Sequence, residues 1–363
     1  MKITAIESIL LTVPYRTRGQ MNVIAGRPSP GLNMLLVRVE TDAGLVGWGE
    51  AFGHAVAPGT KAVIDTMIAP LFIGRDPAAI GELMADAHRK LHIFGRNGPV
   101  IYGLSGVDIA LWDIAAKAAG LPLYRLLGGG PRADVPAYSS LLRCANPDAV
   151  AASCGRALEQ GFGHVKLHEV TLPAIAAARD AVGPGVGLMV DTNCPWSVPE
   201  ALAMVEALRP LDLYWLEEPV WPPEDYEGLA RVRAAGAITS AGENVTGLHA
   251  FRQLLEAGAV DILQPSVSKV GGITEMRKIA ALAEAFGVRT VPHCGYLGPG
   301  FLATLHLVAA AGGNEFIERL NIDLDDSPFA GLTEVRQGRV AVPQGPGLGA
   351  DPDPAAVARH RVN

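Results

Sequence analysis

From Asp134 to Glu318 the chain repeats one rhythm eight times. Short apolar runs (VPAYSS, HVKLH, GLMVD, LYWLE, ITSAGE, VDILQP, RTVPH and EFIE) alternate with Ala-rich stretches of helix length. Alternation of strand and helix predicts a parallel sheet, because parallel strands need a crossover connection of a dozen or more residues. Eight such units in succession predict that the sheet closes into a (β/α) barrel.

The segment before this rhythm reads differently. Residues 2–13 predict a strand, and NMLLVRVE and GLVGWGEA flank the turn residues 41–44, which predicts a hairpin. Helical periodicity follows near 58–72, 77–92 and 99–119. The stretch GQMNVIAGRPSPGL at 19–32 is rich in Gly and Pro and reads as a loop. The expected fold class is therefore α/β. An N-terminal α+β capping domain (1–130) precedes a barrel domain (131–320), and a C-terminal segment (321–363) returns to the capping domain.

The strand ends carry the chemistry. Asp191 closes one run, Glu217 the next and Glu243 the one after, each 26 residues from its neighbour. One barrel unit takes roughly that length, so the three carboxylates are expected at one level of the C-terminal mouth. Like charges there repel and raise each other's pKa unless a cation intervenes. An all-oxygen set with positions left open suits Mg²⁺. The plainer reading, acidic caps on the helices that follow, does not account for three in register.

In HVKLHE, Lys166 and His168 lie two apart, so both face the side opposite Val165 and Leu167. In a barrel that side is the interior, and the pair points toward the same mouth. His293 closes the VPH run at the same level.

The chain resembles the enolase superfamily, and within it the mandelate racemase/muconate lactonizing enzyme group. The resemblance rests on GLVGWGEA, SGVDIALWDIAAKAAGLPLYRLLGG, VDTN, WLEEP, AGEN, SKVGG, the VPH strand end and the closing PGLG. It implies a capping domain over a modified (β/α)7β barrel of TIM type, Mg²⁺ on Asp191, Glu217 and Glu243, and abstraction of the proton next to a carboxylate. The resulting enediolate needs nearby positive charge. By resemblance Lys166 contacts the substrate carboxylate and lowers the pKa of His168, the base on one face. His293 serves the other face. Glu318, if protonated, donates to the enediolate, and Asn193 reaches a substrate hydroxyl. Ser140, Ser266, Lys269 and His54 complete the expected substrate contacts.

Two positions depart from the family pattern. His168 stands where a second lysine is usual; histidine titrates nearer neutrality and needs less tuning to act as a base. Ser266 stands where relatives place an aspartate beside the strand-seven histidine, or a lysine in the cycloisomerase-like subgroup. The serine hydroxyl is expected within hydrogen-bonding reach of His293, directly or through one water, orienting it without stabilising its cation. A weakened His293 favours dehydration of a hydroxy or sugar acid over racemisation or epimerisation, which needs two comparable bases. A relative that binds an acid without turning it over is the reading of another class.

The formal net charge of -7, without a basic stripe, argues against a nucleic-acid partner. No continuous apolar run looks long enough for a bilayer, and the first residues lack the pattern of a secretion signal. The four cysteines are widely spaced and read as reduced thiols of a cytoplasmic protein. A small carboxylic acid is the expected partner, and a closed homo-oligomer the default assembly.

Overall fold

The computed structural model describes residues 1–16, 31–144, 146–313 and 315–362, and the backbone of 23–24 and 27–28. The loop at 19–32 is also expected from the sequence to set specificity, through Gln20, Met21, Asn22, Val23, Ile24 and Arg27, but the side chains of 19–30 lie outside the described set.

Eight parallel strands form the barrel. They run Asp134–Ser140, His164–Leu167, Gly187–Asp191, Trp215–Glu217, Thr239–Ala241, Ile262–Leu263, Arg289–Thr290 and Ile317–Leu320. Each of the first six pairs with the next along the sheet, and the eighth pairs with the first. The alternation of side chains separates two environments. Val165, Leu167, Leu188, Val190 and Leu216 face the surrounding helices in the main core. Tyr138, Met189, Trp215, Ile262, Val291 and Phe316 cluster apart from it, as a floor inside the barrel. Trp215 stacks on Phe316 at 6.0 Å and meets Tyr138 edge-on at 5.6 Å.

This floor positions the site. Two residues beyond Met189, Trp215, Phe316 and Tyr138 stand Asp191, Glu217, Glu318 and Ser140. The strand period therefore lifts each of these polar side chains one layer above an apolar residue on the same interior face.

The capping domain holds an antiparallel sheet of Ile3–Val13, Leu32–Thr41 and Val46–Ala51. The helix Pro99–Ala118 lies directly on it. A Cβ at Gly49 would come within 1.9 Å of the Gly106 carbonyl oxygen, so only glycine permits this approach. That helix has 20 residues and is long and apolar enough to cross a membrane, contrary to the sequence expectation, but 78% of its apolar 18-residue window is buried inside the fold. Its apolar surface is spent between the sheet and the barrel.

The C-terminal segment touches both parts. Arg339–Ala341 adds an antiparallel strand to the start of the first barrel strand. Asp323–Leu324 pairs with Tyr15–Arg16, and the Val362 N–H donates to the Leu10 carbonyl at 2.8 Å.

Buried carboxylates on the capping helix join it to its surroundings. Asp113 accepts from the Trp48 and Leu348 N–H groups at 2.9 and 2.8 Å and pairs with Lys117 at 2.7 Å. Asp108 accepts from the Thr274 N–H at 3.0 Å and from the Thr274 hydroxyl, at the start of the barrel helix Gly272–Ala285. Burial pushes Asp108 up to about 7, against the pull of these donors. A carboxyl raised in the folded state contributes stability that is complete below its unfolded pKa and is lost as pH rises through the folded one. The window here runs from 3.8 to about 7. Asp108→Asn, which cannot titrate, is expected to show a flatter Tm against pH across that window than the unchanged protein, as measured by calorimetry.

Candidate active site

Lys166 lies at the centre of the mouth and is fully buried. A buried ammonium is stable only among opposite charges and acceptors. Its Nζ is 2.7 Å from Glu318 Oε1, 3.1 Å from Glu217 Oε1 and 3.4 Å from Asp191 Oδ2. Burial alone would lower its pKa, but Glu217 and Glu318 outweigh that and hold it well above the usual lysine value.

Asp191, Glu217 and Glu243 each offer an oxygen, and these oxygens lie within 4.8 Å of one another. Burial and the neighbouring Asp191 carboxylate push Glu217 up to about 7. Trp215 Nε1 and Gln264 Nε2 both donate to Glu217 Oε2, at 3.1 and 3.0 Å, and hold it in place. Hard donors, crowded negative charge and fixed orientation fit a divalent cation of the Mg²⁺ type.

Two histidines approach this cluster from different strands. His168 Nδ1 lies 2.5 Å from the Leu141 carbonyl oxygen. A carbonyl only accepts, so Nδ1 carries the proton and Nε2 faces Asp191 Oδ2 at 3.2 Å. His293 Nε2 lies 2.7 Å from Glu243 Oε2, and its Nδ1 is buried without a hydrogen-bond partner among the described residues.

Two expectations are corrected here, and a third holds but is outweighed. The Ser266 hydroxyl does not bond the His293 ring directly. It pairs with the Tyr296 hydroxyl at 2.6 Å, although the backbones of Ser266 and His293 are bridged side by side. The loop after the seventh strand brings the phenol round to a hydroxyl that the strand pattern alone assigned to the imidazole. Glu318, expected to donate if protonated, is drawn toward its ionised form. Burial pushes it up, but Lys166 and His293 outweigh this, and the Cys294 N–H also donates to it at 2.7 Å; together they bring it down to about 2. Lys166 does lower His168, and burial lowers it more, but the Asp191 charge, the Asp191 hydrogen bond and the Leu141 carbonyl together outweigh both and raise it.

The remaining expected contacts divide. Ser140 is fully buried, in register with Lys166, and its hydroxyl has no partner among the described residues. Asn193 lines the mouth, but its amide is turned back to Asp191 Oδ1 at 2.9 Å. Lys269 donates to Asn244 at 2.9 Å and sits 4.9 Å over the Phe52 ring. His54 reaches the mouth from the capping domain in a left-handed conformation, φ 40°. Asn33 fixes its carbonyl at 3.1 Å, and burial lowers its ring to about 4, so it is neutral. Together with His168 and His293, these last three line a cavity of about 360 Å³. Tyr296, Gln264 and Trp215 were not singled out in the sequence. Only Trp215 carried a signal, lying two residues before Glu217 on the same strand face.

Residues 149–356 match the enolase C-terminal domain-like family, and residues 20–128 match the mandelate racemase/muconate lactonizing enzyme N-terminal domain. The chain belongs to the enolase superfamily. It is 36% identical to D-galactarolactone cycloisomerase of Agrobacterium fabrum, over 100% of this chain and 99% of that one. It is 34% identical to D-galactonate dehydratase of Ralstonia pickettii, over 89% and 90%. The crystal structure of a racemase from Streptomyces coelicolor with bound magnesium matches with a TM-score of 0.88 at 29% identity, covering 99% of this chain and 100% of that one. The superfamily fold with its carboxylate triad supports catalysis of the lyase or isomerase type in general.

Changing a residue that merely supports a metal ligand costs about 10–100-fold in metal affinity. Glu217→Gln is therefore expected to weaken Mn²⁺ binding by at least that factor, read by titration calorimetry, while far-UV circular dichroism stays unchanged. Tyr296→Phe leaves the buried Ser266 hydroxyl unpaired and is expected to cost about 1–3 kcal/mol in a denaturant titration.

Proposed function

We propose that this chain removes the proton α to the carboxylate of a sugar acid and expels the β-hydroxyl, a dehydration assisted by Mg²⁺. The observation that carries the reading is the inequality of the two histidines. His168 is anchored through Nδ1, which leaves Nε2 to move a proton, while His293 Nδ1 has no partner among the described residues to match it. Racemisation calls for two comparable bases, whereas elimination calls for one base and one acid.

In this reading Asp191, Glu217 and Glu243 hold the metal, which when bound supplies positive charge beside the substrate carboxylate. Lys166 adds a fixed cation, kept charged by Glu318. Ser140, whose buried hydroxyl has no partner among the described residues, donates to the carboxylate. His168 Nε2 takes the proton from C2, and His293 Nε2 protonates the hydroxyl leaving C3 as water. The enol that remains takes a solvent proton at C3, releases the proton of its C2 hydroxyl to solvent, and becomes a 2-keto-3-deoxy acid. Lys269 and neutral His54 receive the distal hydroxyls. The names of the relatives, a cycloisomerase of a sugar lactone and a dehydratase of a sugar acid, support this substrate class. The complete triad speaks against a relative that only binds.

The test is incubation with a panel of sugar acids in deuterated water, followed by proton NMR. A 2-keto-3-deoxy product carrying one deuterium at C3 is expected. Exchange or inversion at C2 without loss of hydroxyl would replace the reading with racemisation or epimerisation. No exchange with any acid would favour the binder. His168→Ala is expected to lower turnover by about 10²–10⁴-fold, the usual contribution of a positioned base.

A further inference from the structure

The barrel helix Pro299–Ala311 begins at Gly298, which has no side chain to cap it. Its free N–H groups are met from the other domain. Glu50, at the end of the capping-sheet strand Val46–Ala51, is 2% exposed and accepts from the Gly300 N–H at 2.9 Å and from the Gly298 N–H. A Cβ added at Gly298 would come 2.8 Å from Glu50 Oε2, and one at Gly300 would come 3.1 Å from it. The two glycines thus leave the space that the carboxylate fills.

The segment from His293 to Gly298 hangs between three fixed points. Glu318 holds the Cys294 N–H at 2.7 Å, Ser266 holds Tyr296 at 2.6 Å, and Glu50 holds the helix start. The first two belong to the barrel, and only the third belongs to the capping domain. Beyond Glu50 the chain contacts the mouth at every second residue. The Phe52 N–H donates to the Ser268 carbonyl at 3.2 Å, and His54 lines the cavity.

We propose that Glu50 is a positioning residue for His293: by capping the barrel helix across the domain boundary, it sets the loop that carries His293 only when the capping domain is seated. This rests on the role proposed above for His293. An N-cap from a distant strand satisfies the same donors as a local one, and its removal frees the helix start while leaving the second barrel strand untouched. His168 is the internal control, because its anchor is the Leu141 carbonyl within the barrel.

The test uses the full chain with ¹⁵N-labelled histidine and reads the ring nitrogens by NMR, assigned with His293→Ala and His168→Ala. Glu50→Ala is expected to shift the His293 signals and leave those of His168 in place. Glu50→Gln, whose amide oxygen accepts the same N–H groups, is expected to restore them. Unmoved His293 signals in Glu50→Ala, or equal movement of both histidines, would overturn the proposal. Should Glu50→Ala not fold, Gly298→Ala drives a methyl group against the carboxylate from the helix side, and the same selective shift is required. With a working substrate, kcat of Glu50→Ala is expected to fall about 10²-fold, the scale of a small misplacement of a reacting group, with KM changed far less. The ring signals need no turnover, so a failure of the dehydration reading and a failure of this one are separable.

Discussion

The ammonium of Lys166 is the charge around which this barrel mouth is organised. It is fully buried and touches carboxylates from the third, fourth and eighth strands. Without it, Asp191, Glu217 and Glu318 would converge as uncompensated anions over an apolar floor of Trp215, Met189 and Phe316. Without them, the ammonium would have no tolerable environment. Each explains why the other survives burial. The arrangement also bears on Glu318, which Lys166 and His293 draw toward its ionised form.

A second dependence runs across the domain boundary. Asp108 and Glu50 are capping-domain carboxylates that satisfy the starts of two barrel helices, Gly272–Ala285 and Pro299–Ala311. The loops before those helices contain Ser266 and Lys269 in one case and His293 and Tyr296 in the other. The capping domain therefore does more than cover the cavity. It supplies hydrogen-bond partners to the backbone that carries half of the site, and the glycines of GLVGWGEA and SGVDIALWD let its helix come close enough to do so.

The departures from the sequence reading share a cause. Ser266 was assigned to His293 because their strand ends are neighbours, and the backbones are indeed bridged. The hydroxyl nevertheless turns to Tyr296, a loop residue whose direction no periodicity encodes. Lys166 was expected to lower His168, being two residues away on one strand, and it does so. Asp191 on the next strand reaches the ring at 3.2 Å and outweighs it. In both cases a contact along or beside a strand was legible, and a stronger one across the barrel or from a loop was not.

What the amino-acid order determined by itself was periodic: eight strand–helix units, the interior face of each strand, and the level at which Asp191, Glu217, Glu243, Lys166 and His168 would meet. A period of two along a strand and a repeat of 26 residues between strands are local quantities, and they survive without knowledge of the fold. What only the tertiary structure decided was pairing and charge: which carboxylate Lys166 touches most closely, that Glu318 is drawn toward its ionised form, where the Ser266 hydroxyl points, and that Glu50 caps a helix some 250 residues away. Those outcomes follow from distances of about 3 Å between elements remote in sequence. In a buried site, such distances decide which of several competing charges prevails.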